Sequence, residues 1–183
     1  QGRAEVEKCA WACQHFAAHA AGYLADEPVD AGDARALLCC QPLGVILAVM
    51  PWNFPLWQVI RCAVPALMAG NTVVLKHASN VTGCALALDF TAQAAALPPG
   101  IFQTLLVASA QIASVLDHPV LRGVSLTGST EAGRALAREA GQRLLKTVLE
   151  LGGSDPYLIL EDANLEQAAR CCAASRLITS GQS

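Results

Sequence analysis

At 183 residues the chain is long enough for one domain with a core of its own. It is 54% hydrophobic and only 15% charged, which suits parallel strands covered by helices on both faces or a large face that packs on another body. A net charge of −3 argues against a nucleic-acid partner. No apolar run is long enough to cross a bilayer, and without a visible leader pattern the expected location is cytoplasmic.

In chain order, Arg3 to about Tyr23 predicts an Ala-rich helix. Cys9, Cys13, His15 and His19 crowd it at spacings of four, but an ordinary helix face outweighs metal binding, and no metal is expected. Residues 26–33 predict a polar loop with Pro28 and Gly32, and residues 34–41 an extended segment. Val45 to Met50 predicts a strand buried on both faces. Leu56 to Ala69 predicts a helix stopped by Gly70-Asn71. Further strands are expected over 72–76, 102–107, 123–126, 146–149 and 157–160. Further helices are expected over 83–96, 109–116 and 129–141, with a last one capped by Asn164 and running to about Ile178. Strand and helix alternate through short loops, the pattern of a doubly wound, Rossmann-like parallel α/β sheet. Eight cysteines, with Cys39-Cys40 and Cys171-Cys172 adjacent and no Cys-x-x-Cys, predict reduced, buried, small apolar residues and not a disulfide scaffold.

Four stretches can carry chemistry. Pro51-Trp52-Asn53-Phe54-Pro55 stands between a strand and a helix, where ligands gather in open α/β sheets. Two prolines pin it, so the Asn53 amide could donate to a developing oxyanion or simply cap the turn. Lys76 ends its strand with Ser79 three residues on, placed for a ribose hydroxyl or phosphate, or else for solvent. Thr127-Gly128-Ser129-Thr130-Glu131-Ala132-Gly133 joins a strand to a helix. The free N–H groups there suit a pyrophosphate, although an ordinary Ser129 N-cap explains the pattern equally well. Glu150 lies among apolar residues before Gly152-Gly153. Burial would favour its protonated form, as a general base working near neutrality needs; the alternative is a Glu turned to solvent.

Met50-Pro51-Trp52-Asn53-Phe54-Pro55, Leu75-Lys76, Leu126 to Gly133, Leu149 to Pro156 and Ser180-Gly181-Gln182 occur in the order of the aldehyde dehydrogenase superfamily, and the chain resembles it over nearly its whole length. Lys76-His77-Ala78 and Gly152-Gly153-Ser154-Asp155-Pro156 are most similar to the bacterial succinate-semialdehyde dehydrogenase branch. The resemblance implies NADP or NAD as cofactor. Trp52, Gly128 and Ser129 would lie at the pyrophosphate and Lys76 at the adenosine ribose. Asn53 would be an oxyanion-hole donor and Glu150 the base. Residues 33–41 would belong to an oligomerisation hairpin of a dimer or tetramer. Many members place a glycine-rich loop where Val107-Ala108-Ser109 stands here. NAD-preferring members commonly carry Glu at the position of Ser79, so NADP is expected to be accepted. Arg61 follows Asn53 by eight residues among Ile60, Cys62, Ala63 and Val64. A guanidinium in such a run needs a carboxylate. That partner is either an acidic residue of the protein or, as the resemblance implies, the far carboxylate of succinate semialdehyde.

The family's catalytic cysteine directly follows Gly-Gln-x, and here Ser183 is the last residue. Residues 1–183 are therefore expected to be a partial cofactor-binding domain without the catalytic domain, inactive alone and prone to self-association. Two readings compete with the dehydrogenase. One is a non-catalytic dinucleotide-binding or oligomer-interaction fragment. The other is a reductase of acyl phosphates or thioesters, which has no need of the hydrolytic base that Glu150 offers.

Overall fold

Val45–Met50 carries no polar side chain and forms β3, the central strand, buried or half-buried at every position. The computed structural model describes residues 2–178. They fall into a larger unit, Gly2–Gly152, and a smaller one that begins at Gly153.

The larger unit opens with α1 (Gly2–Tyr23) and a small antiparallel pair, β1 (Glu27–Val29) and β2 (Ala36–Leu38). Then come β3, α2 (Trp57–Met68), β4 (Thr72–His77), α3 (Thr82–Ala94), β5 (Phe102–Thr104), α4 (Ile112–Leu116), β6 (Leu121–Gly128), α5 (Thr130–Gln142) and β7 (Lys146–Leu151). The order in the main sheet is β5-β4-β3-β6-β7, and every pair is parallel. This is the doubly wound order expected from the alternation of strand and helix, and its winding reverses between β3 and β6.

Alternate residues divide each strand between two cores. On one face Leu47, Val124 and Leu126 pack with Ile112 and Leu116 of α4 and Leu136 and Ala140 of α5. On the other, Ala48, Met50, Val73 and Leu75 pack with Val59 and Ala63 of α2 and Ala85 of α3.

Several sequence expectations need correction. Residues 26–33 are not all loop: Glu27–Val29 forms β1, because a register partner across the turn, Glu27 to Leu38, outweighs the weak strand propensity of Glu-Pro. The strand expected over 102–107 ends at Thr104, where the backbone turns and the Val107 N–H donates to Leu105 O. The helix expected over 109–116 is a 3-10 turn, Ser109–Gln111, followed by α4. In the smaller unit Tyr157–Leu160 forms no strand: no neighbouring strand pairs its backbone among the described residues. Helix α6 (Leu165–Arg176) is capped as expected, with Asn164 Oδ1 accepting from the Gln167 N–H. All eight cysteines are unpaired, but Cys13, Cys39, Cys40 and Cys171 are exposed, not buried. The Ser180-Gly181-Gln182 motif lies outside the described residues.

Helix α2 ends as Gly70-Asn71 predicts. Gly70 adopts φ +83°, its N–H donates to Leu67 O, and the Asn71 N–H donates to Ala66 O. Helix α5 ends the same way, with Leu144 in place of the glycine at φ 54° and 94% exposed. A left-handed leucine with nothing to pack on is strained. Leu144→Gly is therefore expected to raise stability by about 1 kcal/mol, read as a higher midpoint in chemical denaturation.

Candidate active site

The candidate residues come together at the carboxyl end of the parallel sheet. Pro51 to Leu56 follows β3, Lys76 and His77 end β4, Gly128 ends β6, and Glu150 is next to last in β7.

The turn after β3 lacks a cap of its own. Leu56 is the N-cap residue of α2 and offers no side-chain acceptor. Glu5, reaching across from α1, supplies one: its Oε1 accepts from the Leu56 and Trp57 N–H groups, both at 2.8 Å. A carboxylate at a helix N-terminus meets both the orphan donors and the positive end of the dipole. Lys8, one turn along α1, lies 3.9 Å above the Trp57 ring. The reading of Asn53 as a turn cap therefore fails, since Glu5 does that work. Asn53 is half-buried, and its Oδ1 is buried with no hydrogen-bond partner. Trp52 beside it is 50% exposed.

Lys76 is not a solvated lysine. It is 8% exposed, and its Nζ donates to Ser109 Oγ at 3.3 Å. A buried cation whose hydrogen bond goes to a neutral hydroxyl is costly unless something further satisfies it. Next to this pair, between α4 and α5, is an apolar cavity of about 270 Å³ lined by Val49, Ser109, Ile112, Leu126, Ala132 and Leu136 among others. Ser79 is exposed at the start of a 3-10 turn. It lines a second cavity of about 370 Å³ with His77, Thr82 and the loop 105–108. Ser129 caps α5 as its sequence context predicts, with Oγ accepting from the Ala132 N–H at 3.1 Å.

Glu150 departs from expectation. β7 is an edge strand, and the Glu150 side chain is 53% exposed, not buried. It is paired with Arg61: Nη1 lies 3.3 Å from Oε2, and Nη2 donates to Thr127 Oγ1 at 3.3 Å. Two residues given separate roles by their motifs thus meet in one ion pair. Of the cysteines, burial pushes the Cys9 thiol up to about 11, and burial also raises Cys13 and Cys62. A hydrogen bond with Asp26 raises Cys39. None of these four is disposed to be a thiolate. His15 and His19 stack on each other at 4.5 Å, with His15 Nε2 3.0 Å from Tyr23 Oη. Among the described residues no group of three or more His, Cys, Asp or Glu gathers into a metal site. No described helix is long and apolar enough to cross a membrane.

The sequence motifs single out Asn53, Lys76, Arg61 and Glu150, but they leave out Glu5 and give His77 no role. His77 is buried at the end of β4, with Nε2 2.8 Å from Pro55 O and Nδ1 3.2 Å from Met50 O. The available signal was a histidine directly after an apolar strand, on the face opposite Lys76.

The chain belongs to the aldehyde dehydrogenase family, whose sequence model matches residues 1–183. It is 51% identical over 183 residues to a probable NADP(+) succinate-semialdehyde dehydrogenase of Synechocystis, covering 100% of this chain and 40% of that protein. It is 50% identical to an NADP(+) succinate-semialdehyde dehydrogenase of Mycobacterium avium, covering 99% of this chain and 39% of that protein. The solved succinic semialdehyde dehydrogenase of Streptococcus pyogenes, in complex with NADP+, superposes with a TM-score of 0.94 at 38% identity, over 98% of this chain and 40% of that one. The chain thus spans about two fifths of the length of the relatives it matches.

Replacing the borrowed cap tests its contribution. Glu5→Ala should cost about 1–2 kcal/mol of stability, while Glu5→Gln, which keeps an acceptor, should recover part of it. Denaturant melts of the two variants against the parent chain measure both.

Proposed function

We propose that this chain is the cofactor-binding part of an NADP-accepting aldehyde dehydrogenase that oxidises succinate semialdehyde to the acid. The observation that carries this reading is Lys76, a buried ammonium with a neutral hydrogen-bond partner beside an apolar cavity. The residues fit an adenine dinucleotide. The cavity suits a flat heterocycle, Lys76 a ribose hydroxyl, and the start of α5 at Gly128-Ser129, with Trp52, a pyrophosphate. When bound, the nicotinamide accepts the hydride. The names and structures of relatives at 38–51% identity support the same chemistry.

The other groups act on the aldehyde carbon. The Asn53 amide donates to the oxygen that gains charge on attack. Glu150 accepts a proton from the water that releases the acid. Arg61 holds the far carboxylate, and the observed pair then has a consequence. A carboxylate gripping both Nη groups of Arg61 takes the places of Glu150 and Thr127. Exposed pairs of this kind are weak enough to exchange. The nucleophile and the remaining machinery belong to the rest of a longer protein, of the length of the relatives. Oligomer formation through residues 33–41 and a cytoplasmic location are part of the same reading. β2 lies within that segment with Leu37 and Leu38 exposed, which supports an assembly role.

Two variants of the full-length protein test it. Ser79→Glu should shift preference from NADP towards NAD, because a carboxylate there repels a 2′-phosphate; an unchanged ratio of kcat/KM values would count against the assignment. Arg61→Ala should lower kcat/KM for succinate semialdehyde by at least about tenfold, as expected for a lost charge-assisted contact, while butanal is barely affected. Equal losses for both aldehydes would show that Arg61 serves only the fold.

A further inference from the structure

His77 is a buried titratable side chain that none of the chemistry above uses. It is 6% exposed at the last position of β4. Strand alternation sends Lys76 to the face of the apolar cavity and His77 to the opposite face, with Val73, Leu75 and α2. There its ring spans the turn that holds Asn53. Nε2 lies 2.8 Å from Pro55 O, and Nδ1 lies 3.2 Å from Met50 O and 3.0 Å from the Ala78 nitrogen. Met50 and Pro55 are the residues at either end of Pro51-Trp52-Asn53-Phe54.

The ring's role follows from its donors. Pro55 O can only accept, so Nε2 must carry a proton and donate to it. In the neutral ring Nδ1 is a second acceptor for the Ala78 N–H, which it shares with Met50 O; in the charged ring Nδ1 donates to Met50 O. Either way the Pro55 end of the turn is tied to β4. Backbone reinforces the other end, where the Ala78 N–H donates to Met50 O at 3.0 Å. The turn has fewer N–H groups of its own to make such ties, because Pro51 and Pro55 have none. Glu5 holds the helix just beyond it, but among the described residues no donor other than His77 reaches Pro55 O.

We propose that His77 is a positioning residue for Asn53. By fixing Pro55 O to the sheet it sets where the amide stands relative to the carbonyl carbon, and it acts through the turn, not on the substrate. This rests on the reading of Asn53 as the oxyanion donor. The sensitivity is steep, since a displacement of about 1 Å at a catalytic group can cost roughly 100-fold.

The test is a double-mutant cycle in the full-length protein with succinate semialdehyde, reading kcat at saturating NADP and the Kd of NADP by fluorescence titration. Asn53→Ala should lower kcat by roughly 10²–10³-fold. His77→Ala should lower kcat by at least about tenfold, with the Kd of NADP unchanged. In the Asn53→Ala background, His77→Ala should have no further effect, because the group it positions is gone. His77→Gln, whose amide nitrogen can reach Pro55 O, should restore kcat; His77→Asn, which is too short, should not. This pair also serves if the alanine variant fails to fold. Multiplicative losses in the cycle would overturn the proposal, as would equal behaviour of the Gln and Asn variants or a loss confined to NADP affinity. If Asn53→Ala leaves kcat intact, the oxyanion reading itself fails, an outcome distinct from the others.

Discussion

The helix that leaves the central strand begins without a residue able to satisfy its first N–H groups, and the whole carboxyl end of the sheet depends on how that deficit is met. A five-residue turn with a proline at each end gives a rigid path but few donors and no cap. The Glu5 carboxylate meets the need from another helix, which ties α1 to α2 through a pair of short hydrogen bonds. Because α1 supplies the cap, the Asn53 side chain is not needed for it, and its Oδ1 has no hydrogen-bond partner. The apolar core under α2, with Val59 and Ala63 fully covered, then keeps the helix seated on the sheet.

The end of β4 shows how one strand serves two neighbours. A period of two in side-chain direction separates Lys76 from His77 by the thickness of the sheet. The ammonium faces α4 and α5, and the imidazole faces the turn before α2. Across β6 and β7, Arg61 and Glu150 meet over Thr127, so a helix on one face reaches the exposed edge on the far side of the winding reversal. Lys76, the turn around Asn53 and the Arg61–Glu150 pair are therefore parts of one rim, set by the registers of four parallel strands.

Most of this rim was legible because its signals are local. An apolar hexapeptide marks β3, Gly70 marks the end of α2, and Ser129 marks the start of α5; each bond concerned closes within a few residues. Glu5 was hidden because its partners lie 51 and 52 residues away, and because an acidic residue in the first turn of α1 reads as a match for that helix's own dipole. Glu150 was misjudged for the converse reason. Its apolar neighbours suggested burial, but burial depends on whether a further strand lies beyond β7, and strand order is a property of the whole chain. Tyr157–Leu160 has strand-like composition and no strand beside it among the described residues, so composition alone was not enough.

The winding order also shapes how the sheet can assemble. β3 meets β4 after a single crossover through α2, but its other neighbour, β6, arrives only after β4, α3, β5 and α4. Closing the longer loop yields nothing until the strands pair, so a partial sheet β5-β4-β3 is the cheaper one to close before β6 joins. During that interval an all-apolar strand is a sheet edge, with unpaired backbone groups along Val45–Met50. The strand that ends at the centre of the sheet is, while the chain emerges, the surface that another chain can capture.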